Sequence, residues 1–312
     1  MLGRRNLRVK VMQVLYAWEM DRDLPIIKLE NQLHQQIQRS VDLYLANLQY
    51  LVEVCNYSMV DKARRLAKFV KTEEDEKAST TIAANRIVRY LQENELFNSL
   101  AQKSKIRHYV SEDVVKHLFN DLASKPKYKE YAALQQPTLA QDREIFELLV
   151  KKVFAGDKDL TQHLEESFIN FEDDNSLLLL IITKHIEGFK EEGTSFFQNM
   201  DTWEEEKKFA NDLLIKTVQN SEELITYIQP NLKNWEMDRI AILDLILMKM
   251  AICELKFFPT VPVKVSINEY IDISKLYSTP KSKDFVNGVL DKVRLQMLDK
   301  GEIKKYGRGL LE

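Results

Sequence analysis

Apolar side chains recur at helical spacing along most of the chain. The first run places Leu7, Val11, Val14, Leu15 and Trp18 on one face of a helix. Other runs of this kind follow, and no segment alternates as a half-buried strand does. They cover residues 26–57, 85–104, 111–122, 142–156, 159–168, 175–189, 204–232, 234–258, 266–278 and 284–293. The pattern predicts an all-α protein.

Polar stretches separate these predicted helices. Residues 71–79 form a charged connector, and residues 124–138, which include two prolines, form the longest irregular stretch. The run over residues 234–258 is apolar nearly all round and ends before Pro259. A helix that is apolar on every face is buried, so we expect this one at the centre of the fold.

Two local signals predict where the last helices begin. Ser266 and Glu269 have the S-x-x-E spacing of a capping box, which predicts a helix from Ile267. Thr279 and Pro280 are placed as an N-cap residue followed by proline at the first helical position.

The composition agrees with a helical, soluble protein. The 312 residues include only 8 Gly and 7 Pro, and 45% are apolar. Cys55 and Cys253 have neither metal-ligand spacing nor a disulfide framework, which fits a reducing cytosol. The longest strictly apolar run, residues 177–182, is far shorter than the ~18 residues that cross a membrane, and no secretory signal is evident. We therefore expect a cytoplasmic protein without a membrane partner.

Charge is distributed unevenly. Residues 1–18 carry four bases and no acid, residues 19–200 carry a net charge of −6, and residues 281–308 have eight bases against four acids. Basic ends around an acidic middle indicate an anionic partner for the ends. The alternative is a solvated basic terminus without a binding role.

No catalytic or metal-binding motif is present. Gly-rich phosphate loops, zinc-protease motifs and nucleophile elbows are absent, and no two of the five histidines share a metal-ligand spacing on a helix. The acidic stretch over residues 171–176 lacks the spacing of a calcium loop. The sequence therefore favours a binding protein that is not an enzyme and needs no cofactor or metal.

Two blocks of sequence resemble the NusB family of transcription antitermination factors. The family motif appears here as "VPVKVSINEYIDISKLYSTPKSKDFVNGVLDKV", and the family's Arg-rich first helix as "RRNLRVKVMQVLYAWEM". "NWEMDRIAILDLILMKMAICEL" and "FANDLLIKTVQNSEELI" are similar to the family's central helix and to the helix before it. In the family, the first helix is followed shortly by the helix that corresponds to "FANDLLIKTVQNSEELI". Here Trp18 of the first helix and Phe209 of this helix are about 190 residues apart.

The resemblance implies a fold with four parts. Residues 1–22 would be the first helix of a NusB-like bundle, residues 23–200 an inserted helical region, residues 201–298 the rest of the bundle and residues 299–312 a basic tail. The fold class expected is all-α, with a NusB-like helical bundle core formed by the N-terminal helix and the C-terminal third.

The resemblance also implies a function and partners. The family, alone or with the ribosomal protein NusE, binds the boxA element of nascent ribosomal RNA transcripts and helps RNA polymerase resist termination. We therefore expect an RNA-binding antitermination factor with boxA-type RNA, NusE and the RNA polymerase antitermination complex as partners. The alternatives are a non-catalytic helical scaffold and an accessory RNA-binding domain of an rRNA-modification system.

Site residues follow from the family positions. We expect the arginines near the start and the lysines before the FVNG motif to form a single cationic surface. Asp244, an acid within the most apolar run, is expected to contact NusE or else to pair internally with a Lys or Arg. Gly288 is expected to let another helix backbone come close. The expected RNA-binding residues are Arg4, Arg5, Arg8, Lys10, Tyr16, Lys281, Lys283, Phe285 and Asn287. Core packing is the alternative for Tyr16 and Phe285, and satisfying a buried backbone group is the alternative for Asn287.

Overall fold

The structure is a computed structural model that describes residues 3–190, 196–197, 203–232 and 239–310. These residues contain fifteen α-helices, and none of them lies in a β-strand. The predicted all-α class is confirmed. None of the helices in the described part of the chain is long and apolar enough to cross a bilayer.

The chain divides into two compact units. The terminal unit joins residues 2–37 to residues 202–312, and the middle unit comprises residues 38–201. Helix α2 (Ile26–Leu66) contributes to both units. The predicted boundary between residues 200 and 201 lies outside the described residues.

The terminal unit has six helices besides the start of α2. They are α1 (Arg4–Met20), α11 (Trp203–Gln219), α12 (Ser221–Ile228), α13 (Ile242–Phe257), α14 (Val263–Tyr277) and α15 (Ser282–Asp299). Short 3₁₀ turns cover Gln229–Asn231 and Gly307–Leu310.

The middle unit continues from α2 through eight further α-helices. They are α3 (Glu73–Glu76), α4 (Arg86–Glu93), α5 (Glu95–Lys103), α6 (Glu112–Ser124), α7 (Pro126–Ala132), α8 (Leu139–Leu148), α9 (Lys158–Ser167) and α10 (Phe171–Glu187). Short 3₁₀ turns cover Thr81–Ala84, Ile106–Tyr109 and Phe154–Gly156, and a π-helical turn at Leu149–Val153 follows α8.

Helix α13 forms the core of the terminal unit, as its apolar sequence predicts. Leu247, Met248, Ala251 and Ile252 are fully buried, because α1, α11, α12, α14 and α15 all pack against this helix. The start predicted at Asn234 falls on residues 233–238, outside the described residues, and the helix seen in the structure begins at Ile242.

Both predicted starts of the last helices are wrong. Helix α14 begins at Val263 after Pro262, so Ser266 lies inside it, where its hydroxyl donates a hydrogen bond to Glu254 instead of capping. Helix α15 begins at Ser282, whose N–H donates to the carbonyl of Thr279 at 2.9 Å. At α14 the hydrogen bond to Glu254 replaces the predicted capping role of Ser266. At α15 the turn before the helix moves its start to Ser282, two residues after the predicted Pro280.

The two stretches predicted as irregular contain short helices. Thr72 and Asp75 form a reciprocal capping box that starts α3 within residues 71–79. In residues 124–138, Pro126 occupies the first turn of α7, a position where its missing N–H has no helical partner to lose. Pro126 therefore begins a helix rather than preventing one.

Candidate nucleic-acid interface

The first two arginines of α1 are half-exposed and paired with acids. The Arg4 Nε donates to the Glu206 carboxylate at 2.9 Å. Arg5 donates to Glu269 at 2.8 Å and to Asp272 at 2.9 Å. With side-chain exposures of 39% and 47%, these guanidinium groups can reach an anion only by sharing or exchanging these carboxylates.

Arg8 lies inside the terminal unit, where it binds Glu254. Two hydrogen bonds of 2.9 and 2.6 Å join the guanidinium to the carboxylate, and Ser266 Oγ and Tyr270 Oη donate to the same carboxylate at 2.6 and 2.9 Å. Burial alone would lower the pKa of Arg8, but the Glu254 carboxylate outweighs it and raises that pKa above its ordinary value. The network ties α1, α13 and α14 together.

The expectation that Arg8 and Lys10 contact RNA phosphates is wrong. Each is only 2% exposed, so neither charged group lies at the surface where a phosphate could bind. The basic sequence of α1 thus divides into two surface arginines and two buried cations. The spacing of the basic residues along the sequence does not distinguish the surface cations from the buried ones, because both kinds occur within two turns of the same helix.

Arg8 of α1 and the start of α15 meet helix α13 at different points along its length. Arg8 meets α13 at Glu254, whereas Ser282, beside Lys281 and Lys283, donates to Asp244 at 2.7 Å. These acids are ten residues apart on α13, which corresponds to about 15 Å along its axis. Arg8 and the start of α15 therefore meet α13 about 15 Å apart, and the single cationic surface stays a prediction.

The start of α15 presents two exposed cations next to one acid, Asp284. Lys281 and Lys283 are exposed, and no described residue forms an ion pair with either of them. Phe285 and Asn287 are half-buried. The first turn of a helix has N–H groups that attract anions, which adds to the two lysine charges.

Gly288 does not have the packing role expected from the sequence. It is exposed on α15, and a Cβ built there meets no atom within 4 Å. No helix backbone approaches it. The structure gives no packing reason for glycine at this position.

Two asparagines of the family motif meet in one groove of about 690 Å³ between α14 and α15. Asn268 belongs to the "SINE" segment and Asn287 to "FVNG". Neither side-chain amide forms a hydrogen bond with another described residue. Lys264 and Arg294 stand at the same groove, and Arg294 is 3.8 Å from Asp291.

The C-terminal segment forms the remaining wall of this groove. Lys305 Nζ donates to the carbonyls of Glu254 and Phe258 at 3.2 and 2.8 Å, and burial lowers the pKa of Lys305 to about 8. Gly309 lies so close to Pro259 that a Cβ would come within 2.0 Å of its carbonyl oxygen. The segment is therefore fixed against the end of α13.

The sequence interpretation missed Lys264, Asn268 and Arg294 as site residues. Positions 287, 291, 294 and 298 are spaced as one helix face, so the α15 side of the groove could have been found from its spacing. The α14 side depends on how the two helices pack, which local spacing does not specify.

Tyr16 and Asp244 have different surroundings. Tyr16 is 42% exposed, as a stacking residue must be.

Asp244 is only 4% exposed, and its internal partner is the Ser282 hydroxyl, not the Lys or Arg expected as the alternative to a NusE contact. Its Oδ1 is buried with no hydrogen-bond partner in the described structure.

The side chains of this interface are of the kinds that bind nucleic acid. Exposed cations, amides without internal partners and an exposed tyrosine can hold phosphates and base edges. In the described parts of the chain, no three His, Cys, Asp or Glu side chains are grouped as a metal site.

The comparisons with known proteins agree on one family. The sequence profile described as "NusB family" matches residues 177–294, from within α10 to near the end of α15. No solved structure gives a significant match.

Curated relatives named "Transcription antitermination protein NusB" match shorter stretches. The protein of Salinibacter ruber is 52% identical over 73 residues, which is 23% of this chain and 46% of that protein. The protein of Chloroherpeton thalassium is 51% identical over 74 residues, or 24% and 35% of the two chains. The protein of Natranaerobius thermophilus is 41% identical over 59 residues, or 19% and 42%. The chain thus spans less than half the length of these relatives, and its residues 177–294 match the NusB family.

Proposed function

We propose that this chain is a transcription antitermination factor that binds boxA-type RNA of nascent rRNA transcripts together with the ribosomal protein NusE. The support from relatives is their shared name, "Transcription antitermination protein NusB", and the family match over residues 177–294. We further propose that residues 23–200 are an insertion in the NusB-like bundle.

One observation carries the proposal. The two motif asparagines, Asn268 and Asn287, face one groove with Lys264 and Arg294, and their amides are not used inside the described structure. Asparagine amides pair with base edges, while lysine and arginine pair with phosphates and with guanine. A groove that combines both is suited to an unpaired stretch of RNA.

The other RNA-binding residues, which do not line this groove, receive distinct roles in the proposal. Lys281 and Lys283 bind phosphates at the start of α15, and Tyr16 and Phe285 stack on unpaired bases. Arg4 and Arg5 contribute by exchanging Glu206, Glu269 and Asp272 for phosphate oxygens.

NusE is proposed to dock at the start of α13. Ile242 is 41% exposed there and would supply the apolar contact. Asp244 is 4% exposed, so its proposed role is to hold the start of α15 beside this contact through its hydrogen bond with Ser282. RNA polymerase would be reached through the complex of this chain, NusE and RNA.

The test is a titration of labelled boxA RNA with the full chain, with and without NusE. The variant K281E/K283E should weaken RNA binding about tenfold or more and flatten its salt dependence. K28E/K208E is the matched control, since both lysines are exposed on the terminal unit, lie outside the groove and have no ion pair among the described residues. If RNA affinity were the same in all three proteins, the chain would be a scaffold that does not bind RNA through this surface.

A further inference from the structure

The middle unit contains a polar groove that the proposed function does not use. It has a volume of about 610 Å³, within the range of about 300–1,000 Å³ typical of ligand sites. All its lining residues lie between Gln49 and His108, on α2, α4, α5 and the turn after α5. Its apolar floor, Val52 and Phe97, is almost entirely covered.

Side-chain amides form the walls of this groove. The Gln92 Nε2 donates to Asn56 Oδ1 at 3.0 Å, and the Asn98 Nδ2 donates to the Gln92 carbonyl at 2.8 Å. These bonds fix the amides, yet they leave Asn56 Nδ2, Gln92 Oε1 and Asn98 Oδ1 without a partner in the described residues. Gln102 adds a fourth exposed amide.

The rim of the groove is basic, although residues 19–200 are acidic overall. No Asp or Glu occurs between residues 96 and 111, whereas Lys103, Lys105 and Arg107 do. All three cations are exposed, and the described structure contains no ion pair to any of them. The only acid lining the groove is Glu53, which accepts a hydrogen bond of 2.7 Å from Gln49.

Lys105 is held in an unusual backbone conformation. Its φ of +51° is the left-handed region, and no other non-glycine residue in the described chain has a positive φ. Lysine there is strained, and such strain is found most often at binding and catalytic sites.

Three hydrogen bonds and one buried side chain anchor the turn that carries these cations. Ser104 Oγ donates to Asp42 at 2.6 Å, the His163 Nε2 and the Tyr109 carbonyl are 2.9 Å apart, and the Ser111 N–H donates to Tyr50 Oη at 2.9 Å. Ile106 is fully buried. Lys105 and Arg107 therefore project from a fixed support.

We propose that this groove is a second binding site for single-stranded RNA, an inference that rests on the proposed RNA-binding function. The amides pair with base edges, and Lys103, Lys105 and Arg107 bind the phosphates. An acidic peptide would use the same cations, but it would leave the row of amides unused and find little exposed apolar surface. The observations therefore favour RNA.

The test uses the full chain with the variant K105G/R107Q. Glycine accepts the left-handed conformation of residue 105, so the variant removes two charges without disturbing the turn. K116Q/K152Q is the control, because it removes two exposed lysines of the same unit that lie outside the groove and have no ion pair in the described structure. The probe is a fluorescein-labelled single-stranded RNA of boxA followed by an unstructured tail.

We expect K105G/R107Q to lower RNA affinity about tenfold and the slope of log affinity against log salt by about 1.4, which is about 0.7 for each phosphate contact of a single strand. The control should change affinity less than about twofold. Equal affinities for wild type and K105G/R107Q, in a protein whose binding is still weakened by K281E/K283E, would overturn this inference and leave the proposed function standing. A wild-type protein that binds no RNA would overturn both.

A second probe separates RNA from an acidic peptide. If a fluorescein-labelled polyglutamate peptide binds the wild type, and K105G/R107Q loses the peptide but keeps the RNA, the groove is a peptide site and the RNA inference is wrong. Loss of RNA with no binding of the peptide supports it.

Discussion

At the scale of the residue, burial separates side chains that the sequence presents alike. Arg5 and Arg8 are both basic residues of one helix, yet Arg5 is half-exposed beside Glu269, and Arg8 is buried against Glu254. Removing one partner of a buried pair leaves an uncompensated charge, whereas an exposed pair contributes little.

This contrast predicts unequal effects of two matched substitutions. E254Q should lower the free energy of unfolding by about 3–5 kcal/mol, because it leaves the Arg8 guanidinium buried without its counter-ion. E206Q, which weakens the half-exposed pair with Arg4, should change it by less than about 1 kcal/mol. Urea denaturation of the full chain measures both, and equal effects would contradict the assignment of Arg8 to the core.

Gly288 gives a second prediction at this scale. Since a Cβ there meets nothing within 4 Å and the residue lies inside α15, G288A should stabilise the protein by up to about 1 kcal/mol.

G309A should loosen the C-terminal segment, because its Cβ would overlap the Pro259 carbonyl. Thermal unfolding measures the effect of G288A, and hydrogen exchange at residues 303–310 measures the effect of G309A. If G288A were less stable than the wild type, Gly288 would have a packing role after all.

At the scale of the element, helices were predictable and their ends were not. The apolar spacing of α13 and α15 is long and regular, so it predicts both helices from sequence alone. The start of α14 is decided by Pro262 and by Glu254 binding Ser266, a partner twelve residues away that the capping-box spacing does not reveal. The groove of Asn268 and Asn287 also depends on packing between helices.

Helix α10 carries a histidine whose titration should be visible in stability. Burial lowers the pKa of His185 to about 4, and its Nδ1 lies 3.1 Å from Tyr44 Oη. Since an unfolded histidine has a pKa of about 6.5, the unfolded chain binds one more proton between these values, and stability must fall as pH falls from about 6.5 to 4.

The expected loss across this window is about 2 kcal/mol after allowance for the partly exposed ring. The variant H185Q should lose this part of the pH dependence, whereas H108Q, at an exposed histidine of the same unit, should keep it. Chemical denaturation at pH 4, 5, 6 and 7 checks the difference. A wild type and an H185Q variant with the same pH profile would show that His185 titrates normally.

At the scale of the whole molecule, residues 177–294 match the NusB family, and most of the middle unit lies outside this match. The Arg-rich first helix and the "FVNG" segment were recognisable because each is a short, distinctive pattern. The contacts of these two segments with α13 were not predictable, because the sequence does not show that Arg8 binds Glu254 and that Ser282 binds Asp244. The middle unit matches no pattern of that kind, and its candidate site became visible only through the groove and the left-handed Lys105.

The most direct test of the central claim is photo-crosslinking of boxA RNA to the full chain, with the crosslinked peptides identified by mass spectrometry. We predict crosslinks to α14 and α15 at the groove of Asn268 and Asn287, together with Tyr16 of α1. Bound RNA that crosslinks to none of these three helices would contradict the assignment of the RNA surface to the terminal unit.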